Sequence, residues 1–70
     1  MNVVFSEFID LTCIEDKNYG NLFILSFSPK EENGDRCMNL AFDSSNFLEI
    51  LKQIGKKASV EDDKISWNEE

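Results

Sequence analysis

The sequence DSSNFLEILKQIG, which runs from Asp43 to Gly55, has the clearest helical pattern in the chain. At about 100° per residue, one side of such a helix collects the apolar side chains of Phe47, Ile50, Leu51 and Ile54. The polar residues at 43–45 suit the free N–H groups of a helix start, and Gly55 suits a helix end. We therefore predict an amphipathic helix over 43–55. A helix this short is stabilised mainly by packing its apolar side on the rest of the domain.

Three apolar stretches before this helix alternate in the manner of β-strands. The first contains a change of parity, so we expect a bulge or bend near Ser6 and Glu7. The second ends at Pro29, which has no N–H to donate to a neighbouring strand. We predict strands over 3–14, 21–28 and 36–42, with turns at 15–20 and at 30–35, where Asn33-Gly34 is a strong hairpin signal.

A meander whose last strand runs directly into a helix must fold that helix back over one face of the sheet. The predicted fold class is therefore α+β: a three- or four-stranded antiparallel β-meander with one α-helix packed across one face. The arrangement is βββα, or βββαβ if the alternating segment 64–67 adds a strand. At 70 residues the chain is predicted to be a single small domain, 1–70, with 68–70 frayed.

The second face of the predicted sheet, turned away from the helix, has an apolar character that does not suit water. Its apolar members are expected to be Val4, Phe8, Ile14, Leu22 and Ile24. We expect one of two arrangements. Either the tail covers this face with Ile65 and Trp67, or the face lies in a homodimer or partner interface.

The composition argues against catalysis and cofactor binding. The chain has no histidine, which removes the commonest general base and the commonest metal ligand. Cys13 and Cys37 are far apart, and we expect reduced, buried side chains rather than a disulfide or a zinc site. A partial likeness to a calcium loop at 16–27 fails because its twelfth position is Phe27. We predict no enzyme activity, no cofactor and no metal.

The charge narrows the class of partner. A formal net charge of −7 argues against nucleic acids and anionic membranes as direct ligands, and for a basic protein partner. The amino terminus lacks the basic and apolar regions of an export signal, and no apolar run reaches the roughly 20 residues of a membrane-spanning helix. We therefore expect a cytoplasmic protein.

Two functions fit these observations. The first is a small acidic, non-catalytic inhibitor that blocks a basic, nucleic-acid-handling protein, with carboxylates standing where phosphates would stand. Small phage-encoded inhibitors of bacterial defence systems and bacterial immunity proteins are similar in length, acidity and lack of catalytic residues, although no motif is shared. Acidic residues of the strands and loops, with two aromatic anchors, are the predicted partner-binding residues: Asp10, Glu15, Asp16, Tyr19, Glu31, Glu32, Asp35, Glu61, Asp62, Asp63 and Trp67.

The second function is a self-associating structural or regulatory subunit, in which acidity serves only solubility. The apolar second face of the predicted sheet is its main support. Salt separates the two hypotheses, because exposed charges are screened by salt and apolar contacts are not.

Overall fold

The computed structural model describes residues 1–30 and 36–68. Along the chain, its elements are β1 (Ser6–Asp16), β2 (Gly20–Pro29), β3 (Met38–Asp43), α1 (Ser44–Lys57), β4 (Ala58–Glu61) and β5 (Lys64–Trp67). Strands β1, β2 and β3 form a three-stranded antiparallel sheet in that order, and β4 and β5 form a separate two-stranded sheet. The predicted α+β meander that leads into a helix is confirmed. The Asn33-Gly34 turn lies outside the described residues, as do residues 69 and 70 of the segment 68–70 that was expected to fray. Asn68, the first residue of that segment, is held by hydrogen bonds to the end of α1.

The irregularity in β1 occurs later than the sequence pattern predicts. Phe8 and Asp10 pair with Phe27 and Ser26, which are adjacent in β2, so β1 has one extra residue, Ile9, at this point. An extra residue of this kind is a β-bulge, and it reverses the alternation of side chains that follows it. The faces of β1 therefore differ from those expected from the sequence.

The strand registers sort the side chains of the three-stranded sheet into two faces, because directly paired residues lie on the same side of a sheet. One side, which we call the apolar face, consists of Phe8, Leu11, Cys13, Phe23, Leu25, Phe27, Met38, Leu40 and Phe42. The other side, which we call the acidic face, consists of Glu7, Asp10, Thr12, Ile14, Asp16, Leu22, Ile24, Ser26, Ser28, Asn39, Ala41 and Asp43.

This sorting corrects the predicted second face. Ile14, Leu22 and Ile24 lie on the acidic face as expected. Phe8 instead belongs to the apolar face, and Val4 lines the same concave surface as Phe8. The reason is the bulge at Ile9, which places Phe8 on the same side of the sheet as Leu11 and Cys13.

Helix α1 begins as predicted but continues past the predicted end. Asp43 Oδ1 accepts hydrogen bonds from the backbone N–H and the side-chain amide of Asn46, both 2.9 Å long, and so caps the helix. The predicted end at Gly55 is wrong, since the helix ends at Lys57 and the N–H of Ala58 still bonds to a helix carbonyl. A glycine inside a helix costs only about 1 kcal/mol, so other interactions outweigh it.

Asn68 supplies one of those interactions from outside the helix. Its backbone N–H donates to the carbonyl of Lys57 at 2.6 Å, and its side-chain amide donates to the carbonyl of Lys56 at 3.3 Å. The last carbonyls of a helix have no partner within it, so these bonds satisfy groups that would otherwise need water. The end of the β4–β5 hairpin is thereby joined to the end of α1.

The helix covers only part of the apolar face. Phe47 stacks on Phe23 with ring centroids 4.5 Å apart and an interplanar angle of 6°, and α1 also contacts β3. Phe47 and Ile50 are half-buried, whereas Leu51 and Ile54 stay 51% and 52% exposed. The predicted apolar side of the helix therefore packs on the sheet through its first residues only.

The tail forms its own hairpin instead of extending the meander. Strand β5 pairs with β4, which contacts α1. Ile65 and Trp67 are 74% and 64% exposed, so the expectation that they cover the second sheet face is wrong. The predicted strand at 64–67 exists, but its partner is the segment 58–61, which the sequence pattern did not indicate.

The packing leaves the domain open. Apart from Pro29, no apolar side chain in the described parts of the chain is buried. The radius of gyration is 14.6 Å, whereas a compact domain of this length has a value of about 11 Å. Much of the apolar surface that a domain of this kind normally encloses therefore faces outward.

Candidate functional site

The turn between β1 and β2 carries the first predicted acidic pair, Glu15 and Asp16. Asp16 Oδ2 accepts hydrogen bonds from the backbone N–H groups of Asn18 at 2.9 Å and Tyr19 at 3.0 Å. Gly20 follows with φ of 74°, a conformation that glycine adopts without strain. Asp16 thus shapes the turn, while Glu15 and the ring of Tyr19 are exposed beside it.

The turn between β4 and β5 carries the second predicted acidic group. Glu61 pairs with Lys64, which leaves Asp62 and Asp63 as a two-residue loop. Their φ angles are 51° and 62°, and a type I′ hairpin turn requires positive φ at both central positions. Aspartate tolerates this conformation better than most residues. The result is a tight, exposed turn with three consecutive carboxylates.

The acidic face carries further carboxylates, two of which were not among the predicted partner-binding residues. Asp10 was predicted and lies on this face together with Glu7, which was missed. Asp43 also lies there, but its carboxylate caps α1. Glu7 could have been found from the sequence only by placing the bulge after it, since that placement puts Glu7 and Asp10 on the same side of β1.

The remaining predicted residues are not gathered into one cleft. Tyr19 lies in the turn of the three-stranded sheet, and Trp67 lies in the last strand of the two-stranded sheet. Glu31, Glu32 and Asp35 lie outside the described residues. The described candidates are therefore distributed over two hairpin turns, one sheet face and two exposed aromatic rings.

A second candidate surface is apolar and was not predicted as such. It consists of side chains of the apolar face that α1 leaves uncovered, together with Val4 beside them, and we call it the open apolar surface. Its members, with their exposed fractions, are Val4 (64%), Phe8 (65%), Leu11 (47%), Met38 (46%) and Leu40 (47%). A concave region beside them is lined by Val4, Ser6, Phe8, Leu25 and Phe27. Contiguous exposed apolar surface is typical of interaction sites.

Cys13 and Cys37 differ from the expectation of buried side chains. Both are free and both are exposed. Cys13 lies on the apolar face, paired with Phe23. The helix packs on β2 and β3, so it leaves this part of β1 uncovered. Among residues 1–30 and 36–68, no group of three acidic, cysteine or histidine side chains is placed to hold a metal ion.

Two further observations bear on what the surfaces can do. Lys30 Nζ lies 4.7 Å from the ring centroid of Phe5, and the Lys30 N–H bonds to the Phe5 carbonyl at 2.9 Å, so this lysine is held at the sheet border. Within the described ranges, no helix has the length and apolarity needed to cross a bilayer. Comparison with protein-family models, with curated proteins and with solved structures found no match for the chain.

Proposed function

We propose that this protein is a small acidic inhibitor, without catalytic activity, that binds a basic, nucleic-acid-handling protein in the cytoplasm and blocks it. The observation that carries the proposal is the placement of carboxylates at both described hairpin turns. Glu15 and Asp16 lie at one turn, and Glu61, Asp62 and Asp63 lie at the other. Tight turns between paired strands present charges with little freedom to move, which lowers the entropy cost of binding.

These charges suit a site that normally binds phosphates, because three carboxylates follow one another in an exposed turn. A surface that has evolved to neutralise phosphates would therefore attract the 61–63 turn and accelerate its association. The exposed rings of Tyr19 and Trp67 would add apolar anchors of the kind that interfaces favour.

The test begins with capture of the partner. The protein is immobilised, a lysate of the organism that encodes it is passed over, and bound proteins are eluted by a salt gradient and identified by mass spectrometry. We expect a basic nucleic-acid-binding protein to elute as salt rises, because ionic contacts are screened. Addition of the inhibitor should then reduce that protein's binding to nucleic acid. Retention of no basic protein would contradict the proposal.

A charge variant makes the test specific to one turn. Replacing Glu61, Asp62 and Asp63 by Gln, Asn and Asn should lower the association rate constant for the captured partner by about tenfold, since steering by the turn is lost. Stopped-flow or surface-plasmon measurements at low salt give this rate.

The matched control removes the same number of charges elsewhere. Replacing Glu49, Glu69 and Glu70 by Gln changes the net charge equally but leaves the predicted residues intact. This control should change the rate much less than the turn variant. Equal losses in the two variants would show that net charge, and not the turn, governs association.

A second candidate function is a self-associating structural or regulatory subunit, and the open apolar surface favours it. The two candidates predict opposite responses to salt. Binding of a basic partner weakens as salt rises, whereas association through apolar side chains persists or strengthens.

The cytoplasmic location is supported by Cys13 and Cys37, which are both unpaired.

A further inference from the structure

The open apolar surface has the residue composition of a protein core. The apolar face contains no charged side chain from Phe8 across to Phe42. Its polar members lie at its two ends, at Ser6 and, near the β1–β2 turn, at Glu15 and Asn21. All five members of the open apolar surface keep about half or more of their side-chain area in water. A partner that recognises carboxylates would have nothing to bind on this face.

The exposed area shows how large a missing contact would be. The chain exposes 6509 Å², whereas a compact monomer of 8.1 kDa exposes about 4,500 Å² by the usual scaling of surface with mass. The excess is about 2,000 Å² per chain. Obligate homodimer interfaces bury about 2,000–5,000 Å² over both subunits. The excess is large enough for such an interface, and it is shared between the open apolar surface and exposed side chains of α1 and the tail hairpin, such as Leu51 and Trp67.

The distribution of charge favours a second copy as the occupant. Each chain carries a formal net charge of −7, so two copies repel unless their carboxylates are kept apart. The strand registers put Glu7 and Asp10 on the side of the sheet opposite the open apolar surface. Two copies can therefore meet through their apolar faces while these carboxylates stay in water, as in two stacked sheets about 10 Å apart.

We propose that the open apolar surface is the interface of a homodimer, in which the same face of a second copy covers Val4, Phe8, Leu11, Met38 and Leu40. Contact between identical faces gives a closed dimer with two-fold symmetry. The dimer leaves both acidic faces accessible. The inference does not depend on the proposed inhibitor function, and it extends it by giving each assembly two partner-binding surfaces.

The first test uses two matched variants in β1. Leu11 and Ile14 are both 47% exposed, but Leu11 lies on the apolar face and Ile14 on the acidic face. Sedimentation equilibrium should show the unmodified protein at twice 8.1 kDa. Leu11→Asp should reduce the mass to that of one chain, whereas Ile14→Asp should leave the dimer intact. Circular dichroism establishes that each variant is folded.

The outcomes are distinct. A single-chain mass for the unmodified protein at every concentration would overturn the inference. A dimer that survives Leu11→Asp, or one that is lost equally in both variants, would overturn the assignment to the apolar face. None of these results depends on the captured basic partner, so failure of the dimer and failure of the inhibitor function can be told apart.

The second test needs no substitution and covers the case in which Leu11→Asp fails to fold. Both cysteines are exposed in one chain, but Cys13 lies on the apolar face and Cys37 precedes β3 outside that set of residues. Alkylation by iodoacetamide is followed at each cysteine by mass spectrometry over a range of protein concentrations. The rate at Cys13 should fall relative to that at Cys37 as the dimer forms. A constant ratio of the two rates would overturn the inference.

Discussion

Asp62 and Asp63 form a turn whose backbone conformation is unfavourable for most residues. They are the non-glycine residues with positive φ in the described parts of the chain, at 51° and 62°. Asn-Gly is the preferred pair for a two-residue type I′ loop, so two aspartates are not the choice that stability alone would favour. Their presence fits a role for their charge, because residues that break a local rule are concentrated at functional sites.

Replacing Asp62 by Asn and Asp63 by Gly should therefore stabilise the hairpin. We expect the free energy of unfolding to rise by roughly 0.5–1 kcal/mol, because the left-handed conformation costs less for this pair. Urea denaturation at fixed protein concentration measures the change. The same variant should associate more slowly with the captured partner. A fall in stability would contradict the assigned turn type.

The hydrogen bonds of individual residues explain one success and one failure of the sequence prediction. Asp43 was expected at the helix start, and its carboxylate accepts from Asn46, only three residues away. Gly55 was expected at the helix end, but the last carbonyls are satisfied by Asn68, which comes from a different strand pair. A partner close in the sequence, such as Asn46 for Asp43, can be predicted from the local pattern. A distant partner, such as Asn68, cannot, because its position depends on how the tail folds.

The β-bulge has the largest effect of any single feature on how the strands present their side chains. Phe8 and Ile9 are adjacent and both apolar, so the alternation of β1 can be read in two frames around them. Pairing with Phe27 and Ser26 selects one frame. The sequence pattern therefore predicted the strand and the existence of an irregularity, but it assigned Phe8 to the wrong face. The candidate apolar surface was missed partly for that reason, and partly because the predicted helix was expected to cover this face.

The contact between α1 and the sheet includes one stacked aromatic pair, Phe23 and Phe47. Phe47→Ala removes the ring that stacks on Phe23, and we expect a loss of about 2 kcal/mol, less than for a fully buried ring because the site is half exposed. The matched control is Leu48→Ala, one position along the helix and 51% exposed, which should cost less than about 1 kcal/mol. Urea unfolding at fixed concentration compares the two. Similar losses would contradict the packing described.

For the molecule as a whole, the sequence pattern and the order of the elements predicted the fold class, but they did not predict how much apolar surface stays exposed. Three alternating segments before an amphipathic helix are enough to predict the meander and its covering helix. The same pattern predicts that apolar side chains find partners within the chain. Leu51 and Ile54 keep about half of their area exposed because α1 reaches only part of the sheet. The area of the contact between α1 and the sheet depends on their three-dimensional arrangement, which the periodicity of apolar residues does not determine.

A dimer that completes the core makes stability depend on concentration. We expect the thermal midpoint of the unmodified protein to rise as its concentration is increased, because mass action favours the associated folded state. At fixed concentration, added salt should raise the midpoint as well, since repulsion between two chains of net charge −7 is screened. Circular dichroism melts measure both effects. Folded Leu11→Asp should show no concentration dependence, and a midpoint of the unmodified protein that ignores concentration would contradict the dimer.

The bulge at Ile9 also affects whether a strand from another chain can pair with the outer edge of the sheet. Strand β1 lies at one border of the three-stranded sheet, where its outward backbone groups form a template for further strands. An extra residue interrupts the regular spacing of those groups and increases the local twist, which hinders the addition of a strand from another chain. The other border of the sheet is β3, so this hindrance applies to the β1 border alone.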